Sequence, residues 1–249
     1  MKNDRTFSLR TLIGGLGIWA VAAASAAAQP GGRVPPGPDD LAGFVSIFDG
    51  KSLEGWDGDP RFWRVEGGAI VAESTPEKVV ERNTFLIWKG GPVGDFELKL
   101  EFKLSDTANS GVQYRSATVS DLGPWALKGY QADMDGQNRF TGMVYEERGR
   151  GFLAERGQFV RIADGKVRKM IGSPGDPESL KALLRPGDWN QLHVIARGTV
   201  LIHVVNGRVM ALLVDDDAEG RSMQGLLGLQ LHAGKPMRIE FRNIYLKKL

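Results

Sequence analysis

The stretch Phe96-Glu97-Leu98-Lys99-Leu100-Glu101-Phe102-Lys103-Leu104 alternates apolar and charged residues without a break. Successive side chains of a β-strand point to opposite faces, so all the apolar residues fall on one side and all the charges on the other. A helix would scatter the same residues around its circumference. The segment is a strand with one dry and one wet face, and its dry face requires a second layer to cover it.

Working outward, two hairpins are marked by their turns. Glu66-Gly67-Gly68 separates Trp63-Arg64-Val65 from Ala69-Ile70-Val71, and Asn206-Gly207, a pair that accepts the positive φ angles of a tight turn, separates residues 201–205 from 208–213. Further strands are expected at residues 111–115, 129–133, 191–197, 226–232 and 238–246. One short helix is expected, capped by Asp176, opened by Pro177, running to Leu184 and stopped by Arg185-Pro186-Gly187. Many antiparallel strands with one peripheral helix predict an all-β sandwich of two packed sheets. No internal repeat is present. Residues 137–175 mix Gly with charge, as in Glu146-Glu147-Arg148-Gly149-Arg150-Gly151, and read as a long irregular loop over the open end or concave face.

The amino end has the layout of an export signal. Lys2, Arg5 and Arg10 precede the apolar stretch from Thr11 to Ala24, and Ala26-Ala27-Ala28 supplies small residues for cleavage. That stretch is too short and too rich in Gly and Ala to span a bilayer, so no membrane insertion is expected. The expected organisation is a signal at 1–28, a flexible Pro/Gly leader at 29–43 and one domain at 44–249, free in a periplasm or outside the cell. Without the signal the chain carries 29 basic and 29 acidic residues. A neutral balance gives no general attraction to nucleic acid or anionic lipid, and a neutral ligand is expected. The chain has no cysteine, so its fold rests on its core without disulfides.

The chemistry-bearing residues concentrate on strands. There is no phosphate-binding Gly loop, no Gly-x-Ser-x-Gly elbow, no His-Glu-x-x-His and no thiol nucleophile, so no cofactor and no metal site are expected. The run Asp215-Asp216-Asp217 lacks the spacing and Gly of a calcium loop and reads as a solvated turn. Alternation groups Asn109, Gly111, Gln113 and Arg115 on one face if their strand is regular throughout. It likewise groups Gln131 with Asp133 and Asp135, and Gln230 with His232. Amides, carboxylates, guanidinium and imidazole together suit the fixed directions of sugar hydroxyls, and Trp125 offers a ring for stacking. Trp56, Trp63 and Trp189 are expected in the core, and His193 and His203 as surface or hydrogen-bonded strand residues.

Several motifs recur in one order. Phe48-Asp49-Gly50-Lys51 to Gly55-Trp56 comes first, then Ala108-Asn109-Ser110-Gly111 with Arg115, then Thr141-Gly142-Met143-Val144-Tyr145. Gly187-Asp188-Trp189-Asn190, Asn206-Gly207, Gly228-Leu229-Gln230-Leu231-His232 and Phe241-Arg242-Asn243-Ile244 follow. In this combination the sequence resembles the 3-keto-disaccharide hydrolase family. The resemblance implies a secreted, concanavalin-like jelly-roll sandwich that acts on glycosides already oxidised to a ketone at sugar carbon 3. Where many members carry Glu-x-Gln, this chain has Gln131-Ala132-Asp133, which moves the carboxylate two residues along the same face.

A ketone at carbon 3 acidifies the proton on carbon 2, so cleavage requires a base, a donor for the enolate oxygen and an acid for the leaving group. On this reading Asp133 or Glu146 is the base, Arg115 with Asn109 or Gln131 steadies the enolate, and His232 protonates the leaving oxygen. Tyr145 is a second candidate acid, while Gln230 and Trp125 contact the sugar. Three other readings use the same residues or fold: a noncatalytic, lectin-like carbohydrate-binding module, an ordinary two-carboxylate glycosidase using Glu146 with Asp133, and an interaction domain of a larger assembly. All but the last have a carbohydrate partner, and none fixes the oligomeric state.

Overall fold

The computed structural model describes Met1 and residues 38–249; the expected signal at 1–28 and most of the leader lie outside the described residues apart from Met1. Two sheets form the domain. The larger runs in the order β12 (Val167–Gly172), β11 (Gln158–Ala163), β15 (Arg208–Asp215), β14 (Val200–Val205), β13 (Asn190–Arg197), β6 (Phe96–Leu104), β17 (Met237–Lys248), β4 (Ala69–Ser74) and β3 (Trp63–Glu66), with β1 (Val45–Ser46) also on β17. The smaller runs β10 (Gly151–Ala154), β9 (Val144–Glu147), β8 (Leu127–Asp135), β7 (Asn109–Thr118), β16 (Leu226–Leu231), β5 (Thr84–Trp88) and β2 (Trp56–Asp57). All pairings are antiparallel except that of β11 with β15.

The alternating stretch is β6, at the middle of the larger sheet, and Phe96, Leu98, Leu100, Phe102 and Leu104 are all buried. They meet Val112, Tyr114, Tyr130, Ala132, Met134, Leu227 and Leu229 from the smaller sheet in one continuous core. Both predicted hairpins form. Gly67 and Gly68 join β3 to β4, and Asn206 with Gly207 joins β14 to β15, each pair with positive φ at both residues. The helix α1 (Pro177–Lys181) is capped by Asp176, whose carboxylate accepts the Ser179 N–H at 2.8 Å, and turns rather than helix carry the chain on to Leu184.

Three expectations are corrected. Residues 137–175 are largely ordered as β9 to β12. The alternation of β9 is hard to read because Glu146 takes the inner side in an ion pair, at 2.7 Å, with Arg150 from the turn before β10, where an apolar residue would have signalled a strand. The acidic run is not a solvated turn: Asp215 and Asp217 are buried against Arg150, at 2.6 and 3.4 Å, and Asp216 pairs with Arg161 at 2.7 Å. Trp56 and Trp63 are core residues, but Trp189 is half-buried, with the Arg242 guanidinium 3.8 Å from its ring centre.

Candidate active site

Strands β7 and β8 lie side by side near the middle of the smaller sheet. Val112 and Tyr114 on β7, and Tyr130, Ala132 and Met134 on β8, enter the core, so their sequence neighbours take the outer face. Register then aligns the polar set. Gln113 stands opposite Gln131, and Gly111 opposite Asp133. Gln131 faces Tyr145 on β9, and Tyr145 faces Phe152 on β10; on the other side Gln113 faces Gly228 on β16, which faces Ile87 on β5. One rung therefore crosses the sheet with amides at its centre and apolar or aromatic groups at its ends. Gly111 is required beside it, because a Cβ there would come within 2.3 Å of the Gln131 side chain that lies across it.

The polar side chains of this face form one chain of hydrogen bonds. Ser116 Oγ donates to Gln113 Oε1 at 2.5 Å, and Gln113 Nε2 donates to Gln131 Oε1 at 3.0 Å. Gln131 Nε2 donates to Asp133 Oδ1 at 3.2 Å and reaches Gln230 Oε1 at 3.5 Å, while Gln230 Nε2 donates to Glu147 Oε2 at 3.4 Å. Asn83 Nδ2 donates to Glu147 Oε1 at 3.1 Å, and Asn83 Oδ1 accepts the Ala233 N–H at 3.0 Å. Asn83 immediately precedes β5, so β8, β7 and β16 separate it from Glu147. Their contact requires the sheet to curl over this face, as twisted sheets do.

Asp133 is the group this environment changes most. It is 6% exposed, and no Lys or Arg among the described residues pairs with it. Burial pushes its carboxyl up to about 8, Asp135 and Glu147 add to the rise, and hydrogen bonds from Gln131 and the Met134 N–H oppose it. Tyr145 is half-buried, and its hydroxyl is also pushed up, by burial first and then by the charges of Glu147 and Asp133. It keeps its proton across the neutral range.

The sequence-predicted residues divide. Gln131, Asp133 and Gln230 meet in the chain of hydrogen bonds, and Tyr145 stands on the adjoining strand. His232 is half-buried beside them, where its Nδ1 contacts the Ala233 carbonyl at 2.5 Å and Ala233 in turn bonds Asn83. Asn109 lies at the same end of β7, opposite Asp135. Asp135 itself is occupied, accepting the Phe140 N–H at 2.8 Å and Arg139 Nε at 2.9 Å to hold the turn after β8. Trp125 stands at the far margin, half-buried, donating from its indole to Asp57 at 3.0 Å.

Arg115 and Glu146 lie elsewhere. Arg115 has φ +47°, at a break in register between Tyr114 and Ala117. The irregularity turns its side chain to Gly94 O at 2.9 Å, Gly198 O at 2.8 Å and Asp95 Oδ1 at 2.9 Å, so it ties loops together and does not join the amides. Glu146 shares the inner face of β9 with Val144 and binds Arg150; Glu147, one residue on, takes the outer face. Sequence reasoning missed Glu147, Asn83 and the central role of Gln113. Reading Val144 and Glu146 against Tyr145 and Glu147 as an alternating strand would have found the first.

Residues 43–247 match the 3-keto-alpha-glucoside-1,2-lyase-like domain family. The chain belongs to that family. A 94-residue segment is 31% identical to a 3-keto-disaccharide hydrolase of Bacteroides thetaiotaomicron, spanning 33% of this chain and 31% of that protein. A candidate glycosyl hydrolase from Parabacteroides distasonis superposes with a TM-score of 0.57 at 18% identity, covering 87% of this chain and 98% of that one. A second from the same organism gives 0.55 at 20% identity, over 83% and 99%. A Bacillus subtilis protein of galectin-like fold gives 0.51 at 9% identity, over 86% and 92%. At these identities the structures share a fold, the jelly-roll sandwich expected from the resemblance.

Proposed function

We propose that this domain cleaves 3-keto-glycosides by elimination, with Asp133 as the base. The observation that carries the reading is a buried carboxyl, raised to about 8, set among amides on the curled face. A base of that strength matches abstraction of a proton made acidic by an adjacent ketone. Asp133 takes the carbon-2 proton, the carbon 2–carbon 3 double bond forms, and the negative charge passes to the carbonyl oxygen. The Gln230 amide N–H not committed to Glu147 stabilises that oxygen, and Gln131, whose two N–H groups go to Asp133 and Gln230, holds both in position. As the enolate collapses back to the ketone, a carbon 1–carbon 2 double bond forms and the carbon 1–oxygen bond breaks with its electrons going to the leaving oxygen, which takes a proton from Tyr145. Water then adds its hydroxyl to carbon 1 and gives its proton to the Tyr145 oxygen, while Asp133 returns a proton to carbon 2, which yields the free 3-keto sugar and resets both residues. His232 contacts a sugar hydroxyl at the open end, Asn83 holds the adjoining Ala233 N–H and Glu147, and Glu147 keeps Asp133 basic by its charge.

The test compares 3-keto and ordinary forms of one glucoside in deuterium oxide, following leaving-group release and deuterium at carbon 2. Release from the keto form alone, with Asp133→Asn slowing kcat/KM about 10³-fold or more, is expected. Equal cleavage of the ordinary form overturns the mechanism, and glycan binding without cleavage of either form identifies a binding module. Export is a second part of the proposal, resting on residues 1–28. Amino-terminal sequencing of exported protein should read from Gln29, and protein retained in the cytoplasm with Met1 intact overturns it.

A further inference from the structure

We propose that Tyr145, Phe152 and Phe140 form the leaving-group subsite, and that it takes a planar, apolar aglycone in preference to a second sugar; the assignment rests on the elimination reading above. Tyr145 and Phe152 are directly opposed on β9 and β10, with ring centres 5.0 Å apart. Phe140, from the turn between β8 and β9, lies 5.3 Å from Phe152 at an interplanar angle of 31°. All three rings are half-buried, so they make a continuous aromatic strip that still faces solvent. The strip begins beside Gln131, next to the carboxyl assigned as base. No described residue hydrogen-bonds the Tyr145 hydroxyl, which leaves it available to a leaving oxygen.

Aromatic pairs across strands stabilise a hairpin by themselves. Two features point beyond that role. A contiguous, part-exposed apolar strip bordering a few buried polar groups is the composition of a ligand site. The cations around it also have partners of their own: Arg139 is held by Asp135 at 2.9 Å with its guanidinium 5.1 Å from the Phe140 ring centre, Arg168 donates to Phe152 O and Gln158, both at 3.0 Å, and Arg148, the cation whose charge reaches Tyr145, pairs with Glu147 at 3.8 Å. A second sugar would bring several hydroxyls to a wall with few free partners, which costs binding energy, whereas an aryl ring brings none.

The experiment uses phenyl and glucosyl 3-keto-glucosides of one anomeric form, with the wild-type chain, Phe152→Leu and Phe140→Leu. Leucine keeps apolar packing and removes the flat ring. Each variant is expected to lower the ratio of kcat/KM for phenyl over glucosyl substrate by about threefold to tenfold, the worth of one stacked ring. An unchanged ratio overturns the subsite. Calorimetry with unoxidised phenyl glucoside separates this from the elimination reading. If wild type cleaves neither keto substrate, elimination fails while the subsite is judged by binding alone: weaker binding in the variants upholds it, and equal or undetectable binding overturns it. If Phe152→Leu does not fold, Phe140→Leu, outside the sheet, makes the same comparison.

Discussion

Two buried polar networks run along opposite faces of the same strands. On the inner side Tyr130 donates to Asp215 at 2.5 Å, and Arg150 binds Asp215 at 2.6 Å, Glu146 at 2.7 Å and Asp217 at 3.4 Å. Nearby, Tyr114 Oη and His203 Nε2 are 2.8 Å apart while His203 Nδ1 contacts the Met143 carbonyl at 3.1 Å. On the outer side Gln113 donates to Gln131, Gln131 reaches both Asp133 and Gln230, and Gln230 donates to Glu147. Tyr130 and Gln131, or Glu146 and Glu147, are sequence neighbours assigned to different networks by the pleat.

The difference lies in charge compensation. Burial alone would disfavour the Arg150 cation, but its hydrogen bonds to Glu146 and Asp215 outweigh that, and its proton is held more firmly than in water. Burial pushes His203 down to about 4, so the ring is neutral and fits the donor and acceptor on its two sides. Arg150 stays charged and His203 neutral across the neutral range. Asp133 has an amide and other carboxyls near it and pairs with no cation among the described residues, so it holds a proton that it can give up near neutral pH. One network fastens two sheets together; the other is poised to exchange a proton.

The sharpest way to break this contrast is Arg150→Met. It leaves Glu146, Asp215 and Asp217 buried without their cation and should cost about 3–5 kcal/mol in urea unfolding. A loss below about 1 kcal/mol would mean that the pairs are as weak as surface ones.

Asp133→Asn should act in the opposite sense on stability. Its folded value, about 8, lies above the unfolded value of 3.8, so the folded state holds a proton that the unfolded chain releases. The stability this gives wild type is full below about pH 4 and is lost as pH rises through about 8. The variant, with nothing to titrate, should therefore gain on wild type between those limits and hold its advantage above them. Melting curves from pH 4 to 9 that stay parallel would place the Asp133 carboxyl in an ordinary environment.

The smallest expected effect is a shift in the pH profile. Glu147→Gln removes a charge that helps raise Asp133, so the rising limb of kcat/KM should move to lower pH. Glu146→Gln, on the inner face, should leave the limb where it is and lower the melting temperature instead. The same profile for both variants would mean that the two faces are not electrically separate.

Much of this was legible from alternation. Phe96 to Leu104 announced the sandwich, and Gln131 with Asp133 and Gln230 with His232 were placed on outer faces that the register does bring together. Arg115 was misplaced because its grouping assumed a regular strand, and the left-handed backbone there broke the alternation. Glu146 was chosen over Glu147 because residues 137–175 read as a loop, and with Glu146 on the inner side of β9 the alternation from Val144 to Glu147 is too short and too charged to stand out.

The sequence by itself determined which side chains share a face, because the two-residue period of a strand is set by backbone geometry and needs no partner. Only the tertiary structure decided which faces meet. The curl that brings Glu147 on β9 to Asn83 beside β5, and the dry surroundings that lift the Asp133 carboxyl, come from strands far apart in the chain. Pairing and burial of that kind depend on the packing of all layers at once, and no local pattern of residues encodes them.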